Sequence, residues 1–348
     1  MQNLRDLDKQ ALLAQMEALG QPAYRARQVF KWAQHVGAAS FEEMSDLPKL
    51  LRTQLSQDYT LCAPQMLRRQ IARDGTRKYL WGFADGSCVE SVLMHYEHGY
   101  TICISTQVGC RMGCVFCAST IGSKIRDLTP GEILEQVIFT ARDAGVRISN
   151  IVLMGTGEPL DNYENVVRFL RLVNDREGQN IGLRHISLST CGLCDRIREL
   201  AELDLQITLS VSLHAPNDAL RNQIMPVSRR WPVRALMEAC ADYTAATNRR
   251  ISYEYALIRG FNDSIDCARE LAALLRGSLA HVNLIRLNPI EESPLKPSTP
   301  EATQAFCDYL NRRGVTATVR RRLGFDIDAS CGQLRRKYQQ NKEEGADR

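Results

Sequence analysis

The chain has 348 residues, 44% hydrophobic and 24% charged, with a formal net charge of +4. That length exceeds one minimal core and suits two domains, and the balance is that of an ordinary soluble globular protein. No run of about 18 apolar residues occurs, which excludes a membrane span, and the mild positive charge permits nucleic acid without demanding it. Met1 to Gln10 is polar and charged, unlike a signal peptide. The 12 cysteines are spread over a long chain, which fits a reducing cytoplasm with metal-binding or catalytic thiols better than a disulfide framework.

In chain order, residues 1–58 read as a helical unit. Leu4, Leu7, Leu12, Leu13, Met16 and Leu19 recur near helical spacing, and Gly20-Gln-Pro22 breaks the run. Tyr24 to Trp32 is basic with interleaved aromatics, and Phe41 to Leu55 repeats the helical pattern. Arg25, Arg27 and Lys31 have two readings that composition does not separate. They are either a solvated face of a helical bundle or phosphate contacts of an accessory RNA-binding domain. Residues 59–95 change period into short β-type runs and form an antiparallel extension, divided by Asp85-Gly86; His98-Gly99 divides it from the next run.

Residues 96–335 form the core. Seven strand-like runs (101–105, 151–154, 186–188, 207–213, 251–258, 282–287 and 316–319) alternate with helix-length stretches such as 130–143, 162–174, 232–246, 264–276 and 301–313. The expected fold is α/β, with parallel strands in a partial barrel of six β/α units rather than a closed eight. Active residues in such folds sit at the C-terminal ends of the strands. Residues 336–348 are a polar tail.

The first of these strands leads into Cys110-Arg-Met-Gly-Cys114-Val-Phe-Cys117. Three thiolates at C-x3-C-x2-C spacing can grip one soft metal centre from a single loop. Three is one fewer than a closed zinc site or a fully ligated cubane uses, which leaves a position open for substrate. The other reading is three core cysteines, or zinc completed by a ligand from elsewhere. Four further polar clusters follow later strands: Gly155-Thr-Gly157-Glu158, whose small residues let backbone come close to a ligand, Ser189-Thr-Cys-Gly192, Ser212-Leu213-His214 and Asn288-Pro289. Singly each suits a loop; together they surround the cysteine loop. Near the C-terminus Cys331-Gly-Gln-Leu334 offers an inert or a reactive thiol. Cys191 and Cys194 form a C-x-x-C, taken here as core or loop residues. Cys62, Cys88, Cys240, Cys267 and Cys307 follow no pattern.

The cluster loop with its following Ala118-Ser-Thr120, the Leu128-Thr-x-x-Glu132-Ile stretch and the Cys-Gly-Gln-Leu ending occur in one order. From about Tyr24 to Leu334 the chain closely resembles the RlmN/Cfr family of RNA adenine methyltransferases, bacterial radical S-adenosylmethionine (SAM) enzymes. Thr156 stands where a Met is frequent and Ser330 where an Ala is frequent, and neither removes a chemical group.

The resemblance implies a radical SAM barrel in which Cys110, Cys114 and Cys117 hold a 4Fe–4S cluster. It assigns Gly157, Glu158, Ser189, Ser212, Leu213, His214 and Asn288 to SAM, two molecules of which are used per turnover. It makes Cys331 the cysteine that is S-methylated and whose methyl carbon, as a radical, adds to the base. Cys103 then closes a transient disulfide with Cys331, and Glu90 is the proton acceptor. The target base must leave its stack, and Arg320, Arg321 and Arg322 are candidates for phosphate contacts. The implied substrates are 23S rRNA and tRNA, methylated at C2 of adenine, with flavodoxin or a similar electron donor, no membrane, and a monomeric cytoplasmic enzyme. Three alternatives stay open: Cfr-type methylation at C8 of the rRNA adenine, a zinc-containing RNA-binding protein without activity, and a radical SAM enzyme for a small molecule.

Overall fold

A computed structural model of the chain describes residues 1–61, 63–289, 293–321, 323–324, 326–327, 334–335 and 338. The N-terminal unit contains α1 (Lys9–Ala18), α2 (Tyr24–Phe30), continued by a π-helical turn over Lys31–Val36, and α3 (Lys49–Asp58). Asp8 caps α1 by accepting from the Ala11 amide. Gln2–Asn3 pairs in parallel with Tyr59–Thr60, so the two ends of the unit lie together.

Ten strands make one sheet: β1 (Gln65–Ile71), β2 (Arg77–Gly82), β3 (Cys88–Tyr96), β4 (Gly99–Cys103), β5 (Ile148–Leu153), β6 (Ile186–Thr190), β7 (Thr208–Ser212), β8 (Ile251–Leu257), β9 (Ala280–Arg286) and β10 (Ala317–Val319). Each strand lies beside its predecessor. β1 to β4 are antiparallel, and β4 to β10 are parallel. Parallel neighbours need crossovers, and helices provide them: α4 (Pro130–Ala144), α5 (Tyr163–Asn174), α6 (Cys194–Ala201), α7 (Asp218–Ile224) with α8 (Val233–Thr247), α9 (Ile265–Leu274) and α10 (Pro300–Arg312). The seven expected strands are all present, joined by six crossovers. Among the described residues β1 and β10 do not pair, so the barrel stays open.

Local chemistry explains these elements. Thr129 and Glu132 form a reciprocal cap at the start of α4, Pro130 occupies its first position, and Gly145 ends it at φ +66°. The α4 face of Ile133, Leu134, Val137 and Ile138 is buried against the sheet. The same apolar cluster continues through Leu12, Met16 and Phe30 of the N-terminal unit. Polar ties reinforce that junction. Asp6 accepts from the Gly131 amide at 2.8 Å, and Glu135 takes Asn3 at 2.8 Å and a buried Arg5 at 3.1 Å.

Alternation divides the antiparallel strands between two faces. Tyr79, Trp81 and Val89 join the main core, while Leu80 and Cys88 face the other way and pack on Leu334. That second face includes Glu90, Val92 and Met94. Register extends it sideways, because Lys78 pairs with Val92, Val92 with Cys103 and Cys103 with Val152.

Three elements escaped the sequence reading. β1 is an edge strand, Gln-Met-Leu-Arg-Arg-Gln-Ile, with little alternation and a register shift between Met66 and Arg68. α6 and α7 have eight and seven residues, too short for a clear periodic signal.

Candidate active site

After β4 the chain forms a neck in which Gln107–Val108 pairs antiparallel with Arg126–Asp127, and the cysteine loop hangs from it. Gly109 sits in the neck at φ +82°, where an added Cβ would lie 1.9 Å from the Ser123 carbonyl oxygen. The loop leans on the end of α7, since the Val115 amide donates to the Ile224 carbonyl at 3.1 Å. Cys110 and Cys114 are buried and Cys117 is half-buried.

All three cysteines line one cavity of about 280 Å³ at the C-terminal ends of the parallel strands. Six of the seven residues assigned to SAM line the same cavity: Gly157, Glu158, Ser189, Ser212, His214 and Asn288. Leu213 does not. Its side chain is in the core, its amide donates to the Glu254 carbonyl at 3.1 Å, and its carbonyl accepts from Arg221.

The glycines after β5 serve a different close approach from the one expected. An added Cβ at Gly155 would stand 2.6 Å from the Ile104 carbonyl oxygen, and one at Gly157 (φ +110°) 2.7 Å from Gln107 Cβ. They seat the turn against the neck of the cysteine loop, and Gly157 then reaches the cavity wall. Glu158 caps the following turn. Its carboxylate accepts from the Leu160 amide at 3.1 Å and the Cys191 amide at 2.7 Å, while burial pushes its pKa up.

His214 has φ +57° and is buried. Its Nδ1 accepts from the Ala256 amide at 2.9 Å. Burial, helped by Arg221, lowers its pKa to about 3. The ring is therefore neutral with its proton on Nε2, a donor. Phe116 packs edge-on against it at 4.9 Å.

Several wall residues were missed. Glu254 on β8 lines the cavity and accepts from Asn283 at 2.8 Å and Ser252 at 3.2 Å, with its pKa raised by burial against the opposing pull of Arg320. A lone Glu inside the apolar run 251–258 was the available signal. Arg320, considered only for RNA phosphates, also lines the cavity, and so does Cys191, read as a core or loop residue.

The donor set suits a group bulkier than one ion. Among the described residues no three His, Cys, Asp or Glu side chains are grouped to hold a single metal ion. Burial pushes the Cys110 thiol up to about 12 and raises that of Cys114 as well, so their thiolates call for a cation. A buried guanidinium nitrogen, Arg221 Nη1, has no hydrogen-bond partner. Three cysteines, an open side and a buried arginine with one unpartnered nitrogen fit an anionic iron–sulfur cluster.

Glu90 and Cys103 lie outside this cavity, on the sheet face described above. Glu90 pairs with a fully buried Lys78 at 2.9 Å and accepts from the Arg335 amide at 2.6 Å. Cys103 is buried with Val92, Met94, Val152, Met154 and Leu323, and Met154 also lines the cavity. Cys331 and Arg322 lie outside the described residues, as does Cys62. Their neighbours are placed: Asp74 accepts from the Gly324 amide at 2.8 Å, Asp326 accepts from the Arg73 amide at 3.0 Å, and Leu334 is fully buried. Arg27 forms an ion pair with Glu177, and Arg25 donates to Gln28 and to the Asp46 carbonyl.

Comparison with known proteins bears on the whole chain. Residues 104–272 match the model of the Radical SAM superfamily, and residues 2–61 match that of the ribosomal RNA large subunit methyltransferase N-terminal domain. A "probable dual-specificity RNA methyltransferase RlmN" from Desulforamulus reducens is 51% identical over 97% of each chain. One with the same description from Clostridium tetani is 49% identical over 98% of each. The crystal structure of a radical SAM methyltransferase from Sphaerobacter thermophilus superposes with a TM-score of 0.92 at 45% identity, covering 96% of this chain and 99% of that one. With its cysteine-lined cavity at the mouth of an open barrel and a relative this similar along nearly its full length, the chain belongs to the RlmN family of radical SAM RNA methyltransferases.

Proposed function

We propose that this protein methylates C2 of an adenine in 23S rRNA and of an adenine in tRNA. One observation supports this most: Cys110, Cys114 and Cys117 share a single cavity with Gly157, Glu158, Ser189, Ser212, His214 and Asn288. Cys110, Cys114 and Cys117 would hold the cluster, and the other six would hold SAM. When bound, the 4Fe–4S cluster and two SAM molecules supply the methyl group and the one-electron chemistry that an electron-poor adenine carbon requires.

The chain's own residues supply orientation and dryness. Glu158 is held by two backbone amides, so its remaining lone pairs are aimed without rearrangement. His214 offers Nε2–H as a fixed donor, set by the amide on Nδ1. Cys331 is the methyl carrier in this reading. Its support is the docking of Leu334 and Arg335, three and four residues further on, beside Glu90. Cys103 is the partner thiol that closes a disulfide with Cys331 as product leaves. Its strand register makes it a diagonal neighbour of Glu90, about 7–8 Å between backbones. Glu90 takes the proton on a carboxylate already held in place by Lys78 and the Arg335 amide.

Resetting the disulfide and reducing the cluster need outside electrons, for which a flavodoxin-like donor is the expected partner. The enzyme is read as a cytoplasmic monomer, and among the described residues no helix is long and apolar enough to cross a membrane. Mass spectrometry of digested rRNA and tRNA, after reaction with SAM and reductant, tests the reading. 2-Methyladenosine in both is expected. 8-Methyladenosine alone, or no product from anaerobic enzyme carrying iron and sulfide, overturns it.

A further inference from the structure

Arg221, on α7, is fully buried. Nε donates to the Leu213 carbonyl at 3.0 Å, and Nη2 donates to the carbonyls of Cys191 at 2.6 Å and Ser212 at 3.1 Å. It thus ties together the loops that follow β6 and β7. Nη1 is buried with no partner. The acidic groups bearing on it are the thiols of Cys191, Cys114 and Cys194 and the carboxylate of Asp218, which also accepts from the Val233 amide at 2.7 Å. A guanidinium does not shed its proton, and carbonyl dipoles solvate it without neutralising it. A buried charge of this kind implies a buried counter-charge.

The position of α7 says where that counter-charge sits. The helix ends on the cysteine loop, with Ile224 accepting from the Val115 amide at 3.1 Å. An added Cβ on Gly113 would lie 3.4 Å from Pro226 Cγ. Cys191, whose carbonyl Arg221 holds, lines the same cavity as Cys114.

We propose that Arg221 is the buried counter-cation of the cluster held by Cys110, Cys114 and Cys117, and that it raises the cluster's reduction potential. This rests on the cluster-binding reading above. An oxidised cubane on three thiolates is a net anion, and the electron delivered by the outside donor adds one further negative charge. A fixed cation in a low-dielectric wall favours that more negative state. Arg221 acts through the cluster and the strand-end carbonyls, so it is a positioning residue.

The test compares Arg221→Lys, Arg221→Gln and Arg221→Met with the wild type, as full-length anaerobic protein without RNA or SAM. Iron and sulfide are counted first, and the midpoint is then read by electron paramagnetic resonance against a potential series. Lys, which keeps the charge, should stay near the wild-type midpoint. Gln and Met should show a reduced-to-oxidised ratio about tenfold lower at that potential, equal to ~59 mV for a one-electron couple. Gln keeps a donor for the strand-end carbonyls and covers the case in which Met does not fold. Neutral variants that fold but hold no cluster, while Lys holds it, also support the proposal. Fully loaded neutral variants at the wild-type midpoint overturn it, and so does a Lys variant as displaced as Gln. A wild type without iron and sulfide instead overturns the cluster reading itself.

Discussion

The two halves of the sheet place their polar groups differently. In the parallel half, β4 to β10, the strands are largely apolar on their buried side, and most polar groups around the cavity sit at the strand ends or just beyond them; Glu254 lines the cavity from mid-strand. In the antiparallel half, Lys78 and Glu90 lie in mid-strand on a face covered partly by the chain's own C-terminal segment. Helices cover the parallel strands and leave only their ends open. The antiparallel strands have one face on the core, and the other is covered by a segment carrying its own polar backbone. A buried charge in mid-strand is tolerable there because the covering segment supplies a hydrogen bond.

The sharpest break in that contrast separates the two kinds of site. Cys114→Ala should abolish both cluster binding and RNA methylation, read as iron and sulfide content and methylated nucleoside. Cys103→Ala, outside the cavity on the sheet face that carries Glu90, should keep iron and sulfide near wild type and still lose turnover. Loss of iron in Cys103→Ala would count against treating the two as separate stations.

The next largest effect concerns the mid-strand pair. Removing one member of a buried ion pair costs about 3–5 kcal/mol, because the other is left uncompensated. Lys78→Met and Glu90→Gln should each lower stability by that order in chemical denaturation. The double variant should recover much of the loss. Glu90→Gln should also speed hydrogen exchange at Leu334 and Arg335, since the amide loses a charged acceptor. Unchanged exchange there would mean that Leu334 alone docks the segment.

The same contrast governs what the sequence could show. The seven parallel strands were legible because each carries a mostly apolar run and helix-length stretches separate them. The cysteine loop stood out by its spacing, which left core and zinc readings open beside the cluster, and the polar clusters stood out as breaks after apolar runs. What stayed hidden depended on three-dimensional neighbours. β1 shows no alternation because it is a charged edge. Arg221 resembles any helical arginine until its carbonyl partners, from loops eight or more residues away, are seen. Gly157 was expected to make room for a ligand, but its φ of +110° and the proximity of Gln107 come from how the turn seats on the neck. Gly157→Ala should therefore cost about 1–3 kcal/mol through backbone strain and contact, seen as a lower melting temperature even without SAM. A fall in SAM affinity with unchanged stability would restore the ligand-clearance explanation.

At the cavity wall a smaller, pH-dependent effect follows from His214. Its folded pKa is about 3, below the ordinary histidine value, so the unfolded chain binds a proton that the folded one refuses. This contribution is full above the unfolded value of about 6.5 and is lost as pH falls toward 3, at about 1.4 kcal/mol per pH unit at most. His214→Asn suits the left-handed backbone and can accept from the Ala256 amide. Denaturation of this variant between pH 6.5 and 5 should have a shallower slope than the wild type, and equal slopes would place the acid sensitivity elsewhere.

The smallest expected effect addresses the N-terminal unit, where the solvated face and the RNA contact remain to be separated. Arg27 is 72% exposed and pairs with Glu177, an arrangement that contributes little stability because water and salt screen it. Arg27→Ala should leave the denaturation midpoint almost unmoved. The two readings part on RNA binding. A phosphate contact predicts weaker binding across RNA sequences and a slope of log affinity against log salt reduced by about one. A solvated face predicts no change in either. Because Arg27 already has Glu177 as a partner, RNA must compete with that carboxylate for it. Glu177→Gln should then tighten binding if the contact is real and do nothing if it is not.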